Sequence, residues 1–148
     1  MATEGQQTEA SQPQQLAPET IEYARQFFDA ARRGDVAFMQ APLEAGLPAN
    51  LTNSRGDTLI MLAAYHGHPE AVKLLLKHGA DPNRLNDRGQ SPLSGAVYKN
   101  EGEVVEALLA GGANPFIGEP NAWVAAKMFG QKEWEERFSK FEPPANSA

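Results

Sequence analysis

The chain has 148 residues, no cysteine and a net charge of −6. The length fits about one domain and leaves no room for separate cofactor and substrate domains. The missing cysteine excludes disulfides, thiolate zinc sites, iron–sulfur clusters and thiol catalysis, and the acidic balance argues against generic nucleic-acid binding.

Residues 1–17 carry Gln, Ser, Thr and Glu and no aromatic or β-branched aliphatic side chain. Such a stretch buries too little apolar area to offset its ordering entropy and is predicted to be disordered, as is 143–148. Half of the net charge, −3, falls within residues 1–19, and all thirteen Lys and Arg lie beyond them. The N-terminus lacks a basic segment followed by an apolar run, so no secretory leader is expected. No stretch approaches the roughly 18 apolar residues of a membrane span. The expected location is the cytoplasm, with the nucleus as a further possibility.

From about Pro18 a helix is predicted, with Ile21, Ala24, Phe28 and Ala31 on one face and Glu22, Arg25, Asp29 and Arg33 on the other. Beyond it the chain repeats. Gly56 and Gly89 are 33 residues apart, as are Gly79 and Gly112, Ala80 and Ala113, and Tyr65 and Tyr98. Leu75-Leu76 maps onto Leu108-Leu109, and backwards Gly67 meets Gly34, Gly79 meets Gly46 and Asn83 meets Asn50. Towards the C-terminus the register shortens by three, so that Ala63 and Gly67 meet Ala126 and Gly130 at an offset of 63. Four units result, near 20–52, 53–85, 86–118 and 119–142, within a domain of 18–142.

Each unit reads as two short helices. In the second, Thr58 offers an N-terminal hydroxyl, and Ile60, Ala63 and Ala64 follow at helical spacing. Gly67 ends that helix and Pro69 opens the next, whose apolar stripe is Val72, Leu75 and Leu76. No unit can bury its apolar faces alone, so the units must stack. The outer units read as caps. Trp134, Phe138 and Phe141 face inward on the last helix and leave Lys132, Glu135, Glu136 and Lys140 to water.

The run Gly56, Thr58, Ala63, Ala64, Gly67, His68, Val72, Leu75, Leu76, Gly79, Ala80, Asp81 and Asn83 resembles the ankyrin-repeat family. So does Gly89, Ser91, Pro92, Leu93, Ala96, Val105, Leu108, Leu109, Gly112, Ala113 and Asn114. The resemblance covers about 20–141 and implies an all-α solenoid of four stacked helix-turn-helix units with short β-turn fingers. It departs from the family at Met61 and Ser94, which replace the histidine of the Thr-Pro-Leu-His box. Pro42 falls inside the second helix of the first unit, which is expected to be short or bent. The loss of three residues near Gly118-Glu119-Pro120 predicts a truncated finger in the fourth unit.

Catalytic signatures are missing: the chain has no GxSxG, Walker loop, GxGxxG or HExxH. His66 and His68 flank a glycine helix end without further nitrogen or sulfur ligands, so no metal or other cofactor is expected. Glu101, Glu103 and Glu106, like Glu133, Glu135 and Glu136, read as solvated helix faces. The chain is therefore not expected to be an enzyme.

In ankyrin-like stacks the residues just before the first-helix glycine line a concave ridge. Here these are Arg32-Arg33, Tyr65-His66, Tyr98-Lys99 and Met128-Phe129. The finger tips add Asn53, Ser54, Arg55, Asp57, Asp87, Arg88 and Gln90. The ridge is basic and aromatic on an acidic chain, and Tyr, Phe, Met and Arg are enriched at interface cores. The expected function is a monomeric, non-enzymatic binding module or adaptor for a partner protein with an acidic patch. Tyr65 and Tyr98 would be its anchors. The alternative, by analogy with four-repeat kinase inhibitors, is a regulator of a specific enzyme such as a kinase.

Overall fold

The computed structural model describes residues 17–141. The disorder expected of residues 1–17 and 143–148 lies, except for Ala17, outside the described residues. Helices α1 (Pro18–Arg33), α2 (Val36–Glu44), α3 (Leu59–Tyr65), α4 (Pro69–Lys77), α5 (Pro92–Tyr98), α6 (Gly102–Ala110), α7 (Ala122–Met128) and α8 (Lys132–Ser139) follow one another. Consecutive helices pair, and the pairs stack: α1 packs on α3, α3 on α5 and α5 on α7, while α2, α4 and α6 form a second layer. The described residues form an all-α repeat solenoid without strands, and isolated bridges at Thr52–Thr58 and Gly118–Asn121 mark two of its fingers.

Local chemistry starts and stops each inner helix. The side chains of Thr58, Ser91 and Asn121 accept the backbone N–H groups of Met61, Ser94 and Val124 at 3.1, 3.1 and 2.7 Å. Each cap satisfies one orphan donor of a first turn. At the other end of α3, Gly67 adopts a left-handed φ of +80°, and the N–H of His68 turns back to the carbonyl of Ala63. Pro69 then opens α4, where its missing N–H costs nothing.

Small residues bring the pairs close. Ala63, Ala64, Ala96 and Ala126 are fully buried, and Val72, Leu75, Val104, Val105 and Leu108 fill the space behind them. Trp134 and Phe138 close the C-terminal end with rings 6.1 Å apart. At the N-terminal end the inward face of α1 differs from the expected one. Phe27 and Ala30 are buried with Phe28 and Ala31, whereas Ile21 is 42% exposed. The reason is length: α1 has 16 residues and its neighbour α3 only 7, so the first turns of α1 overhang the stack. Phe27 is held instead by the rings of Tyr23 and Phe38.

The expected shortening of α2 at Pro42 does not occur, since α2 runs nine residues, as do α4 and α6. Pro42 lies in the last turn, where it withholds one bond from the Phe38 carbonyl, and Leu47 still donates to the carbonyl of Pro42. The short fourth finger is present. Glu119 within it donates its N–H to the carbonyl of Gly89 at 2.9 Å, fastening it to the finger before.

Polar side chains tie neighbouring repeats together. Asn50 accepts the N–H of Asp81 at 2.8 Å, and Asn83, 33 residues on, accepts that of Asn114 at 2.7 Å. Each also donates its amide to the glycine carbonyl of the next turn, Gly79 or Gly112. Ahead of α4 and α8, His68 and Gln131 reach back to the carbonyls of Arg32 and Val97 at 2.7 and 2.8 Å. Among the carboxylates expected to be merely solvated, Glu106 on α6 instead takes both Arg137 Nη atoms of α8, at 2.8 and 3.1 Å.

Candidate functional site

The C-terminal ends of the inner helices and the fingers enclose one concave groove with a volume of about 670 Å³. Stacking in register brings equivalent positions of the four repeats into a row. Arg32 ends α1, Tyr65 and His66 end α3, Tyr98 ends α5, and Met128 and Phe129 end α7; all line the groove. Tyr65, Tyr98, Met128 and Phe129 are 40, 57, 65 and 47% exposed, unusual values for large apolar side chains. Tyr98 and Phe129 meet edge to face across 5.3 Å, which makes adjoining repeats a continuous aromatic surface.

The opposite wall comes from the fingers. Asn53 uses its carbonyl oxygen to accept the N–H groups of Arg55 and Asp57, and Asn86 does the same for Arg88 and Gln90. These identical turns place Arg55 and Arg88 at equivalent points. Gly56 permits them, with φ at +79° and the backbone N of Asp87 only 2.9 Å from where a Cβ would stand. The two fingers are joined where Asp87 donates its N–H to the Arg55 carbonyl at 3.0 Å. Asp57 also lines the groove, and its carboxylate accepts the amide of Asn86 at 2.9 Å.

Five of the expected ridge and finger-tip residues stand outside the groove lining: Arg33, Asn53, Ser54, Asp87 and Lys99. Arg33 turns to Asp35 at 3.1 Å. Lys99 lies over the Tyr65 ring, with Nζ 4.9 Å from its centre, and so backs an anchor rather than facing the groove. Asp87 packs against Gly56 at the finger junction. The other expected residues, Arg32, Arg55, Asp57, Tyr65, His66, Arg88, Gln90, Tyr98, Met128 and Phe129, line it together.

Sequence reasoning missed the floor. Met61, Ser94 and Gly95 lie beneath the aromatic rim. Two of them were visible as departures from the repeat pattern, at the box histidine. Ser94 returns its hydroxyl to the Ser91 carbonyl at 3.1 Å, and the Tyr65 ring lies beside Gly95, 3.6 Å from where a Cβ would stand. At the box-histidine position Ser94 thus presents a small hydroxyl to the groove and Met61 a flexible apolar chain.

The electrostatics of this wall are one-sided. The pKa of His66 is held below the ordinary imidazole value, first by desolvation and then by the charges of His68, Arg32 and Lys99. Burial and the neighbouring positive charges both favour the neutral ring. Arg32 is held by Asp29 at 2.6 Å and Arg55 stands 4.0 Å from Asp57, whereas Arg88 has no carboxylate partner among the described residues.

A repeated helix pair with alanine-packed inner helices, glycine-ended turns and finger loops limits the family to very few. A model of ankyrin repeats, in three copies, matches residues 27–118, more than half of the chain. The chain belongs to the ankyrin-repeat family. It is also similar to an ankyrin repeat protein of Pseudomonas aeruginosa, with 46% identity over 67 residues, 45% of this chain. The aligned part spans 39% of that relative's length.

Ankyrin repeats generally mediate protein–protein interaction and the family is generally non-enzymatic. Among the described residues, no three of the His, Asp and Glu side chains gather as a metal site requires. No described helix is long and apolar enough to cross a membrane.

Proposed function

We propose that this ankyrin-repeat protein is a binding module that docks a partner protein in its concave groove and against its fingers. The observation that carries the reading is the row of groove-facing residues repeated through the stack, Arg32, Tyr65–His66, Tyr98 and Met128–Phe129. Large exposed apolar side chains in register are costly to leave in water and are the types that dominate binding energy once covered. The scaffold beneath them is a packed stack of hydrogen-bonded helix pairs, which keeps low the ordering that docking requires. Arg55 and Arg88 on the fingers, with Arg32 on the helix side, favour a partner surface bearing carboxylates.

Site-specific cross-linking tests this reading in cells. A photo-reactive residue replaces Tyr98 in the groove, and a second variant carries it at Lys73, exposed on α4. The groove position should yield a discrete protein adduct and the α4 position should not. Adducts of equal yield at both positions, or none at Tyr98, would remove the groove assignment.

A further inference from the structure

The groove changes character along the stack. The first three repeats supply every ionisable group that lines it, namely Arg32, Arg55, Asp57, Tyr65, His66, Arg88 and Tyr98. The fourth repeat lines it with Pro120, Ala125, Met128 and Phe129 and no ionisable group. Two local features produce that change. The shortened finger has no tip residue equivalent to Arg55 or Arg88. Lys127, next to Met128 in α7, lies instead over the Trp123 ring, with Nζ 4.2 Å from its centre.

The cationic part carries unmatched charge. Of the three guanidiniums in the lining, Arg32 is paired with Asp29, Arg55 stands 4.0 Å from an Asp57 carboxylate that already takes two asparagine amides, and Arg88 has no carboxylate partner among the described residues. The row runs across four inner helices. At an interaxial spacing of about 9 Å, three steps make about 27 Å. An extended chain rises about 3.3 Å per residue, so that distance takes roughly eight residues. A metabolite could touch one or two repeats but not the whole row.

We infer that the groove receives one extended segment of a partner protein. Carboxylate side chains lie against Arg55 and Arg88, and a bulky apolar side chain lies against Met128 and Phe129. The inference rests on the groove being the docking surface, and it adds that recognition is linear and two-part. The two ends have separate work. The acidic end sets register by charge, and the apolar end supplies buried area in the fourth repeat.

The probe is a displayed library of random 12-residue peptides selected on the immobilised full chain. Enriched peptides should share acidic residues set a few positions from a Leu, Ile, Met or aromatic residue. The best peptide, made with a fluorophore, is then titrated by anisotropy against Arg55→Glu/Arg88→Glu and Met128→Ala/Phe129→Ala. All four positions are exposed, and circular dichroism checks that the variants fold.

Each double variant should weaken binding at least about tenfold, the size of a lost hot-spot contact. The charge variant should lose its effect on a peptide whose acids are replaced by amides. The apolar variant should lose its effect on a peptide whose bulky residue is alanine. Enriched peptides without acids, or variants whose effects do not follow this pairing, would overturn the inference. So would failure to enrich any peptide while Tyr98 still cross-links to a protein. In that case the groove binds a folded surface, and only the linear reading falls. Loss of the cross-link itself would remove the docking surface on which both depend.

Discussion

His68 donates its ring Nε2–H to the backbone carbonyl of Arg32 across 2.7 Å, joining a structural residue of the second repeat to a groove residue of the first. The contact is tight on both sides, since a Cβ at Gly34 would overlap the imidazole. Truncation would leave the Arg32 carbonyl without its partner at a partly buried interface. His68→Ala should therefore cost about 1–3 kcal/mol in urea denaturation. His68→Gln should recover part of this loss, because Gln131 makes the equivalent bond to Val97 in the last repeat. Unchanged urea midpoints for His68→Ala would show that stacking rests on the apolar contacts alone.

The glycines separate two costs that are usually mixed. Gly56 and Gly79 both have left-handed backbones, with φ at +79° and +92°. A Cβ at Gly79 would meet nothing within 4 Å, whereas one at Gly56 would press on the backbone of Asp87 at 2.9 Å. Gly79→Ala should thus cost only the conformational strain of about 1–2 kcal/mol. Gly56→Ala should cost more and also disturb the joined fingers that hold Arg55 and Arg88. Equal losses in thermal melts would mean that the finger yields without resistance.

Much of this architecture was legible in the sequence because it is written in local rules repeated every 33 residues. Glycine at most helix ends, hydroxyl or amide caps and paired alanines act within one repeat and recur in register. What was not legible depends on neighbours about one repeat away. Periodicity alone placed Ile21 inside α1 and passed over Phe27, because it cannot say that α3 covers only part of a longer helix. Arg137 is 31 residues from Glu106, and no pattern within either helix announces their pairing. The groove shows the same division. Its rim was readable from register, but Lys99 turns to Tyr65 of the repeat before it and Arg33 to Asp35 just past its own helix.

The Glu106–Arg137 pair makes acid stability a test of the last interface. The side-chain bonds from Arg137, and then its charge, hold the Glu106 carboxyl below its ordinary pKa. A depressed folded-state value contributes stability above the unfolded carboxyl pKa, and that contribution disappears as pH falls through the folded value. Glu106→Gln should therefore be less stable than the parent near neutral pH and indistinguishable from it once both carboxyl states are protonated. Partial exposure of both side chains keeps the effect small, and salt should reduce it further. Parallel stability curves across the acid range would show that the pair is not coupled to folding.

Phe138 has the opposite character, being fully buried with its ring stacked near Trp134 in the final helix. Phe138→Ala removes the side chain that closes the stack and should cost about 3–5 kcal/mol. In a solenoid each repeat touches only its neighbours, so the loss should stay local. Hydrogen exchange should show α7 and α8 opening first, while the amides of α3 and α4 keep their protection. Because Met128 and Phe129 end α7, the apolar end of the groove would be lost with it, while Arg55 and Arg88 kept their places. Uniform loss of protection from α1 to α8 would instead mean that the stack unfolds as one unit, with the fourth repeat no more separable than the first.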